Sequence, residues 1–86
     1  MSYTVSIKPK AEKYLAGIRD AKLYRRLRQA IDALAEAPRP QGCLKMEGEQ
    51  ELYRIRVGDY RLIYQIQDAT LIVLVVRIGN RREIYR

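Results

Sequence analysis

Arginines at alternate positions are the residues in this sequence best suited to chemistry. Arg54 and Arg56 lie two residues apart in the segment 52–57, and Arg61 follows in the segment 60–67. A guanidinium group is planar, permanently charged and able to donate paired hydrogen bonds to a phosphate. A spacing of two residues places side chains on the same face of a strand. The pattern therefore predicts a basic face that binds phosphate groups.

The turn between the two segments determines whether these side chains meet. If residues 58 and 59 form a two-residue hairpin loop, Arg56 lies directly opposite Arg61. Two opposed arginines repel each other by a few tenths of a kcal/mol up to about 1. The nearby acidic residues, Glu51 and Asp59, cannot neutralise three guanidinium groups. An anionic ligand explains the cluster better than the alternative, a basic face that is simply solvated.

The composition favours a partner that is a polyanion. The 86 residues include 17 Lys and Arg against 10 Asp and Glu, which gives a formal net charge of +7, and such a field attracts nucleic acid. The single Cys43 excludes an internal disulfide, and the N-terminus lacks the layout of a secretory signal. No apolar run approaches the roughly 20 residues that span a bilayer. We therefore expect a cytoplasmic protein that does not bind membranes.

Hydrophobic periodicity predicts a single α+β domain, residues 1–86, of order β-α-α-β-β-β. A helical hairpin would pack on one face of a small, twisted, mainly antiparallel sheet. The expected elements are a strand at 2–7, a helix from Pro9, a second helix capped by Asp20, a loop from 38 to about 50, and strands at 52–57, 60–67 and 70–78, the last two joined by a two-residue loop at 68–69. The last strand is apolar on both faces, which indicates an interior position.

The motif at Leu44-Lys45, followed by Tyr-Arg-Ile-Arg-Val-Gly-Asp-Tyr-Arg-Leu-Ile-Tyr at 53–64, closely resembles the segment that marks the RelE/ParE toxin superfamily. The ending Arg-Ile-Gly-Asn-Arg-Arg-Glu-Ile-Tyr at 77–85 resembles that of the RelE branch, and the resemblance extends over the whole chain. It implies a microbial-RNase-like fold and cleavage of mRNA in the ribosomal A site, without a cofactor or metal. It also implies a RelB-like antitoxin that wraps the toxin in a hetero-oligomer.

The resemblance assigns roles to individual residues. Those implied for catalysis are Arg61, Arg81 and Tyr85, and those implied for RNA and phosphate binding are Arg54, Arg56 and Lys45. Positions 54 and 56 are lysines in the best-studied relatives, and the helix that often follows the tyrosine is missing here.

The implied reaction needs a base for the 2′-hydroxyl proton, stabilisation of a charged phosphorane and help for the leaving 5′-oxygen. The sequence contains no histidine, so Tyr85 would have to act as a phenolate. An ordinary tyrosine pKa near 10 leaves roughly one part in a thousand ionised at neutral pH, and surrounding arginines would lower that pKa. Arg61 and Arg81 are assigned mainly to transition-state charge, and Glu83 is an alternative base.

Other interpretations of the sequence stay open. A ParE-like toxin that poisons DNA gyrase would share the Tyr-Arg-Leu-Ile-Tyr strand, and an RNA-binding module without catalysis would share the basic face. Tyr60 and Tyr64 could stack on bases, although their position on the apolar face favours core packing. An antitoxin should be acidic or amphipathic, and Ile63 and Leu74 near the arginines are candidates for its contact.

Overall fold

The computed structural model describes residues 2–48 and 51–80 and has the predicted α+β architecture. The elements are, in chain order, β1 (Thr4–Ile7), α1 (Pro9–Ala16), α2 (Ala21–Ala33), β2 (Leu44–Lys45), β3 (Leu52–Val57), β4 (Tyr60–Gln67) and β5 (Ile72–Asn80). The strands form one sheet of order β1-β5-β4-β3-β2. β1 runs parallel to β5, and the other neighbours are antiparallel. The mainly antiparallel sheet and the interior position of the last strand are confirmed.

Local signals in the sequence define the helical hairpin. Pro9 lies in the first turn of α1, where its missing N–H costs nothing, and Gly17 caps the end of that helix. Asp20 caps α2, because its Oδ1 accepts the backbone N–H groups of Lys22 and Leu23 at 3.0 and 3.2 Å. The predicted starts of both helices and the end of α1 are therefore confirmed, whereas α2 ends at Ala33 and not at the loop expected from residue 38.

Both helices pack on the same face of the sheet, and the core lies between the two layers. Each helix contributes residues at a spacing of three or four, and each strand contributes alternate residues. The fully buried side chains are Leu15, Leu27, Ile31, Leu34, Leu62, Tyr64, Val73 and Val75. Tyr64 is buried and Tyr60 packs partly buried against this core, so their predicted place in the core is confirmed.

Two parts of the chain differ from the sequence-based prediction. The loop expected up to residue 50 contains the short strand β2, whose two residues pair with Arg54 and Tyr53 and are too few to show a period. The turn expected at 68–69 extends over residues 68–71. Leu71 has φ +54° and donates its N–H to the Asp68 carbonyl at 3.3 Å, so the last strand begins at Ile72 and not at residue 70.

β5 carries a bulge that the sequence pattern did not reveal. Tyr64 pairs with Val75 and Ile63 pairs with Arg77, so Val76 has no partner in the ladder between β4 and β5. The extra residue changes the phase of the strand. Val75 points into the core before the bulge and Ile78 does so after it, which explains why the core residues of this strand occur at both odd and even positions.

Candidate nucleic-acid interface

The face of the sheet opposite the helices brings the predicted arginines together. The hairpin has the expected register, with Arg56 opposite Arg61 and Arg54 opposite Ile63. Residues opposite each other in a ladder point to the same side, with Cα atoms about 4.5–5.5 Å apart. We call Arg54, Arg56, Arg61 and their neighbour on β5, Arg77, the arginine face.

A small pocket lies within the arginine face. It has a volume of about 130 Å³ and is lined by Gly42, Leu44, Arg54, Ile55, Arg56 and Arg61. Gly42 has φ +90°, a backbone conformation that favours glycine, and it lies in the loop that leads into β2. Three positive groups around one concave site form an arrangement that binds an anion.

Arg61 differs from the other arginines because it is 8% exposed, and it is the only buried polar or charged residue in the segments that the structure describes. Its partner on β5 is Gly79, which contributes no side chain beside the guanidinium. A charge held in a site with little water acts on a developing negative charge more strongly than the same charge in bulk water. The position of Arg61 therefore suits charge stabilisation.

Arg77 belongs to this face, although sequence reasoning did not select it. Arg77 lies opposite Ile63, which lies opposite Arg54 on its other side, so the three form one row across β5, β4 and β3. In a regular strand, Arg77 would share the phase of Val73 and Val75 and point into the core. The signal available in the sequence was the change of apolar phase between Val75 and Ile78.

Lys45 is not brought together with the arginines. It pairs with Tyr53, a core residue, which assigns it to the other phase of the sheet. Its Nζ lies 3.2 Å from Oε2 of Glu51. Its predicted role in RNA binding is therefore less well supported than that of Arg54 or Arg56.

The remaining predicted site residues, Arg81 and Tyr85, lie outside the described residues. The last described residue, Asn80, pairs with Tyr60, one ladder position beyond Gly79 and Arg61. The described part of β5 therefore ends at the same end of the sheet as the opposed pair Arg56 and Arg61.

A second polar cluster lies away from the arginine face. The Arg39 guanidinium donates to both carboxylate oxygens of Asp68 at 3.3 and 2.8 Å, and its carbon lies 5.2 Å from the Tyr53 ring centroid. Tyr3 donates its hydroxyl proton to Asp68 at 2.7 Å. The hydrogen bonds from Arg39 and then from Tyr3 lower the pKa of Asp68, and the bond to Asp68 raises the pKa of Tyr3. Each charged group here has a protein partner, so the cluster is structural.

The chemistry available in the described residues is anion binding and charge stabilisation. Residues 2–48 and 51–80 contain no group of three His, Cys, Asp or Glu side chains that could hold a metal ion. Arginine holds its proton too tightly to act as an ordinary general acid. Within the same residues, no helix combines the length and the apolar character that crossing a membrane requires.

Comparison with known proteins assigns the family. Residues 5–85 match the sequence profile of the family described as ParE toxin of type II toxin–antitoxin system, parDE. No curated protein matches the sequence.

Solved structures share both the fold and part of the sequence. The archaeal RelE–RelB complex from Pyrococcus horikoshii OT3 contains a chain that is 31% identical, with a TM-score of 0.78 over 94% of this chain and 97% of that one. The isolated E. coli RelE toxin is 26% identical, with a TM-score of 0.79 over 98% of this chain and 92% of that one.

A YoeB/ParE toxin from Agrobacterium tumefaciens is 12% identical, with a TM-score of 0.75 over 90% of this chain and 96% of that one, and shares the fold alone. The family profile, the fold and the arginine face agree. The chain belongs to the ParE toxin family within the RelE/ParE superfamily and is a toxin of a type II toxin–antitoxin system.

Proposed function

We propose that this toxin is an endoribonuclease that cleaves mRNA in the ribosomal A site and thereby inhibits translation in the cytoplasm. The observation that carries the proposal is the opposed pair Arg56 and Arg61 in a pocket shared with Arg54. Two opposed guanidinium groups that line one pocket can both donate hydrogen bonds to a single phosphate. The likeness to RelE toxins at 26% and 31% identity supports an RNA substrate.

The arginine face supplies binding and charge stabilisation in this mechanism. Arg54 and Arg56 hold phosphates of the RNA strand, while the buried Arg61 faces the phosphate that reacts. The 2′-oxygen loses its proton and attacks the adjacent phosphorus, the bond to the 5′-oxygen breaks, and that oxygen takes up a proton. The products are a 2′,3′-cyclic phosphate and a free 5′-hydroxyl. Arg61 and Arg81 stabilise the extra negative charge of the phosphorane.

Tyr85 is the proposed base for the 2′-hydroxyl proton. Support comes from the resemblance of the segment 77–85 to RelE toxins, and from the end of β5 beside Arg61. Guanidinium groups near a phenol stabilise its anion and so lower its pKa. The ribosome would align the substrate, and alignment can contribute about 7–11 kcal/mol to catalysis, which offsets the absence of histidine.

Primer extension on an mRNA under translation tests the proposal. The purified toxin is added to a cell-free system, and the same mRNA without ribosomes is the control. We expect cuts within codons only when ribosomes are present. Intact mRNA in both reactions would contradict the proposed function.

Replacement of Tyr85 by Phe tests the base. We expect Tyr85→Phe to abolish cleavage in the primer-extension assay, because the phenyl ring cannot accept the proton. Circular dichroism and RNA affinity should be unchanged, since only one oxygen is lost. Replacement of the exposed Tyr24 by Phe is the matched control, and cleavage by Tyr85→Phe at the wild-type rate would exclude Tyr85 as the base.

A RelB-like antitoxin is the proposed inhibitor. The P. horikoshii structure is a RelE–RelB complex, and E. coli RelE is also known in the intact RelBE complex. The exposed Leu44 and the half-buried Leu74 share the sheet face of the arginines. An acidic, amphipathic antitoxin segment complements both features, and the hetero-oligomer should be inactive in the primer-extension assay. Ile63, also on this face, is 7% exposed and offers less contact area.

A second candidate function is inhibition of DNA gyrase. The matching family profile carries the ParE name, which favours this alternative. A DNA supercoiling assay with purified gyrase distinguishes the two functions. Inhibition of supercoiling together with intact mRNA would assign the toxin to the gyrase-directed branch.

A further inference from the structure

The exposed side of α2 carries a second basic surface. Lys22, Arg25 and Arg26 are exposed and follow at i, i+3 and i+4, opposite the buried Leu27 and Ile31. Side chains at this spacing are neighbours on a helix, with Cβ atoms about 5–6 Å apart. We call these three residues the α2 basic face.

The α2 basic face is unfavourable for the stability of the free protein. Like charges at this spacing destabilise a helix by about 0.2–0.5 kcal/mol per pair, and Lys22, in the first turn of α2, also opposes the helix dipole. Within residues 2–48 and 51–80, no acidic side chain forms a salt bridge with these three residues. By contrast, Arg28, which lies outside this face, forms a salt bridge in which its Nη2 is 3.9 Å from Oδ1 of Asp32. Stability of the helix therefore does not explain the cluster.

The α2 basic face reaches the edge of the sheet where the arginine face ends. The Nη1 atom of Arg26 lies 3.6 Å from the position that a Cβ would take on Gly58, in the turn between β3 and β4. Gly58 is two residues from Arg56 in the chain. Positive charge therefore lies on both layers near the turn between β3 and β4. The arginine face is on the sheet, and the α2 basic face is on the helical layer.

We propose that the α2 basic face binds the phosphate backbone of base-paired RNA, as a contact separate from the single strand at the arginine face. A rigid helix presents these charges at constant spacing, which suits the regular backbone of an RNA duplex. No aromatic side chain lies on this face, and Tyr24 projects from another side of the helix, so the contact reads phosphates and not bases. The inference concerns binding and does not depend on cleavage.

A matched pair of charge-reversal variants tests the proposal. The triple variant K22E/R25E/R26E is compared with K8E/K10E/K13E, which has the same net charge and alters exposed lysines of α1 and its N-cap. The probes are a 16-base-pair RNA duplex and an eight-nucleotide single strand. We expect the α2 variant to bind the duplex at least tenfold more weakly than the α1 variant, with equal affinity of both variants for the single strand.

Salt dependence gives a second readout. Each lost phosphate contact on a duplex should reduce the slope of log K against log salt by about 0.9, so we expect a decrease of about 2–3 for the α2 variant relative to the α1 variant. If the three glutamates prevent folding, the milder K22Q/R25Q/R26Q variant replaces the charge reversal. It should also bind the duplex more weakly and with a smaller salt slope than wild type. Equal loss of duplex binding in the α1 and α2 variants would overturn the proposal, because net charge alone would then explain the effect.

Two further outcomes separate this inference from the proposed function. Wild-type toxin that does not cut translated mRNA, but binds the duplex through α2, would contradict only the proposed function. Full duplex binding by K22E/R25E/R26E together with loss of antitoxin binding would identify a protein interface and overturn the inference.

Discussion

Arg61 is the residue at which the fold and the proposed function are most closely connected. It is a buried cation directly opposite a second arginine, and its other neighbour in the ladder has no side chain. Two opposed guanidinium groups repel each other by a few tenths of a kcal/mol up to about 1. A phosphate in the pocket would attract both guanidinium groups, in line with the proposed function.

Removal of Arg54 and Arg56 tests phosphate binding at this face. We expect R54A/R56A to weaken binding of single-stranded RNA and to lower the salt dependence by about 0.7 per lost contact. Affinity measured from low to physiological salt gives the slope. The control is K10A/K13A on α1, which removes the same charge elsewhere, and an unchanged slope in R54A/R56A would contradict a phosphate site.

Tyr64 allows a prediction about alkaline stability. Its hydroxyl is buried and donates to the Pro38 carbonyl at 2.8 Å, and burial, with a further contribution from Cys43, raises its pKa above the ordinary value of 10.0. The folded state therefore resists ionisation that the unfolded chain undergoes. The stabilising effect is complete below pH 10 and is lost as the pH rises through the folded pKa.

Urea unfolding of Tyr64→Phe at several pH values measures this effect. We expect a loss of about 1 kcal/mol at pH 7, from the missing hydrogen bond. Above pH 10 the wild-type protein should lose up to about 1.4 kcal/mol per pH unit from this group, whereas the variant should not. A constant difference between the two proteins from pH 7 to 11 would contradict the assignment, and Tyr24→Phe is the control.

At the scale of elements, the bulge in β5 determines the composition of both sheet faces. The extra Val76 lets Val75 and Ile78 point into the core although they are three residues apart. The same shift places Arg77 with Arg54 and Arg61. One irregular residue therefore completes the core and extends the arginine face.

Two alanine substitutions in β5 test whether the bulge at Val76 directs Ile78 into the core and Arg77 to the opposite face. We expect Ile78→Ala to cost about 2–5 kcal/mol, as expected for a core isoleucine, and Arg77→Ala to cost less than about 1 kcal/mol, as at exposed positions. Chemical unfolding of both variants gives the comparison. The reverse order of cost would show that β5 continues without a bulge.

At the scale of the whole molecule, one polar cluster joins distant parts of the chain. Asp68, in the turn before β5, accepts hydrogen bonds from Tyr3 near the N-terminus and from Arg39 after α2. The partners are 65 and 29 residues away from Asp68 in sequence. The cluster therefore connects β1 and the loop after α2 to the turn between β4 and β5.

Acid titration tests this connection. The folded pKa of Asp68 is lower than its ordinary value of 3.8, so its stabilising effect is present above that pH and is lost as the pH falls through the folded pKa. We expect wild type to be more stable than Asp68→Asn at pH 7 and the difference to disappear in strong acid. Asp32→Asn is the control, and an advantage of wild type that persists in strong acid would contradict the prediction.

Local patterns in the sequence were sufficient for much of this protein. Pro9 and Asp20 determine where the two helices begin, and Gly17 where α1 ends, because such signals act within a few residues of the backbone groups concerned. The alternation in β3 and β4, together with a two-residue turn, determines that Arg56 lies opposite Arg61. Three residues of the arginine face, Arg54, Arg56 and Arg61, and the toxin superfamily could therefore be predicted from the sequence, whereas Arg77 could not.

Tertiary structure decided the features that depend on pairing between distant segments. The two residues of β2 are extended because β3 lies beside them, and β1 is parallel to β5, a strand that follows it only at the far end of the described chain. The bulge at Val76 and the burial of Arg61 arise where three strands meet. Periodicity describes one segment at a time and contains no information about which strand will be its neighbour, so these features required the folded chain.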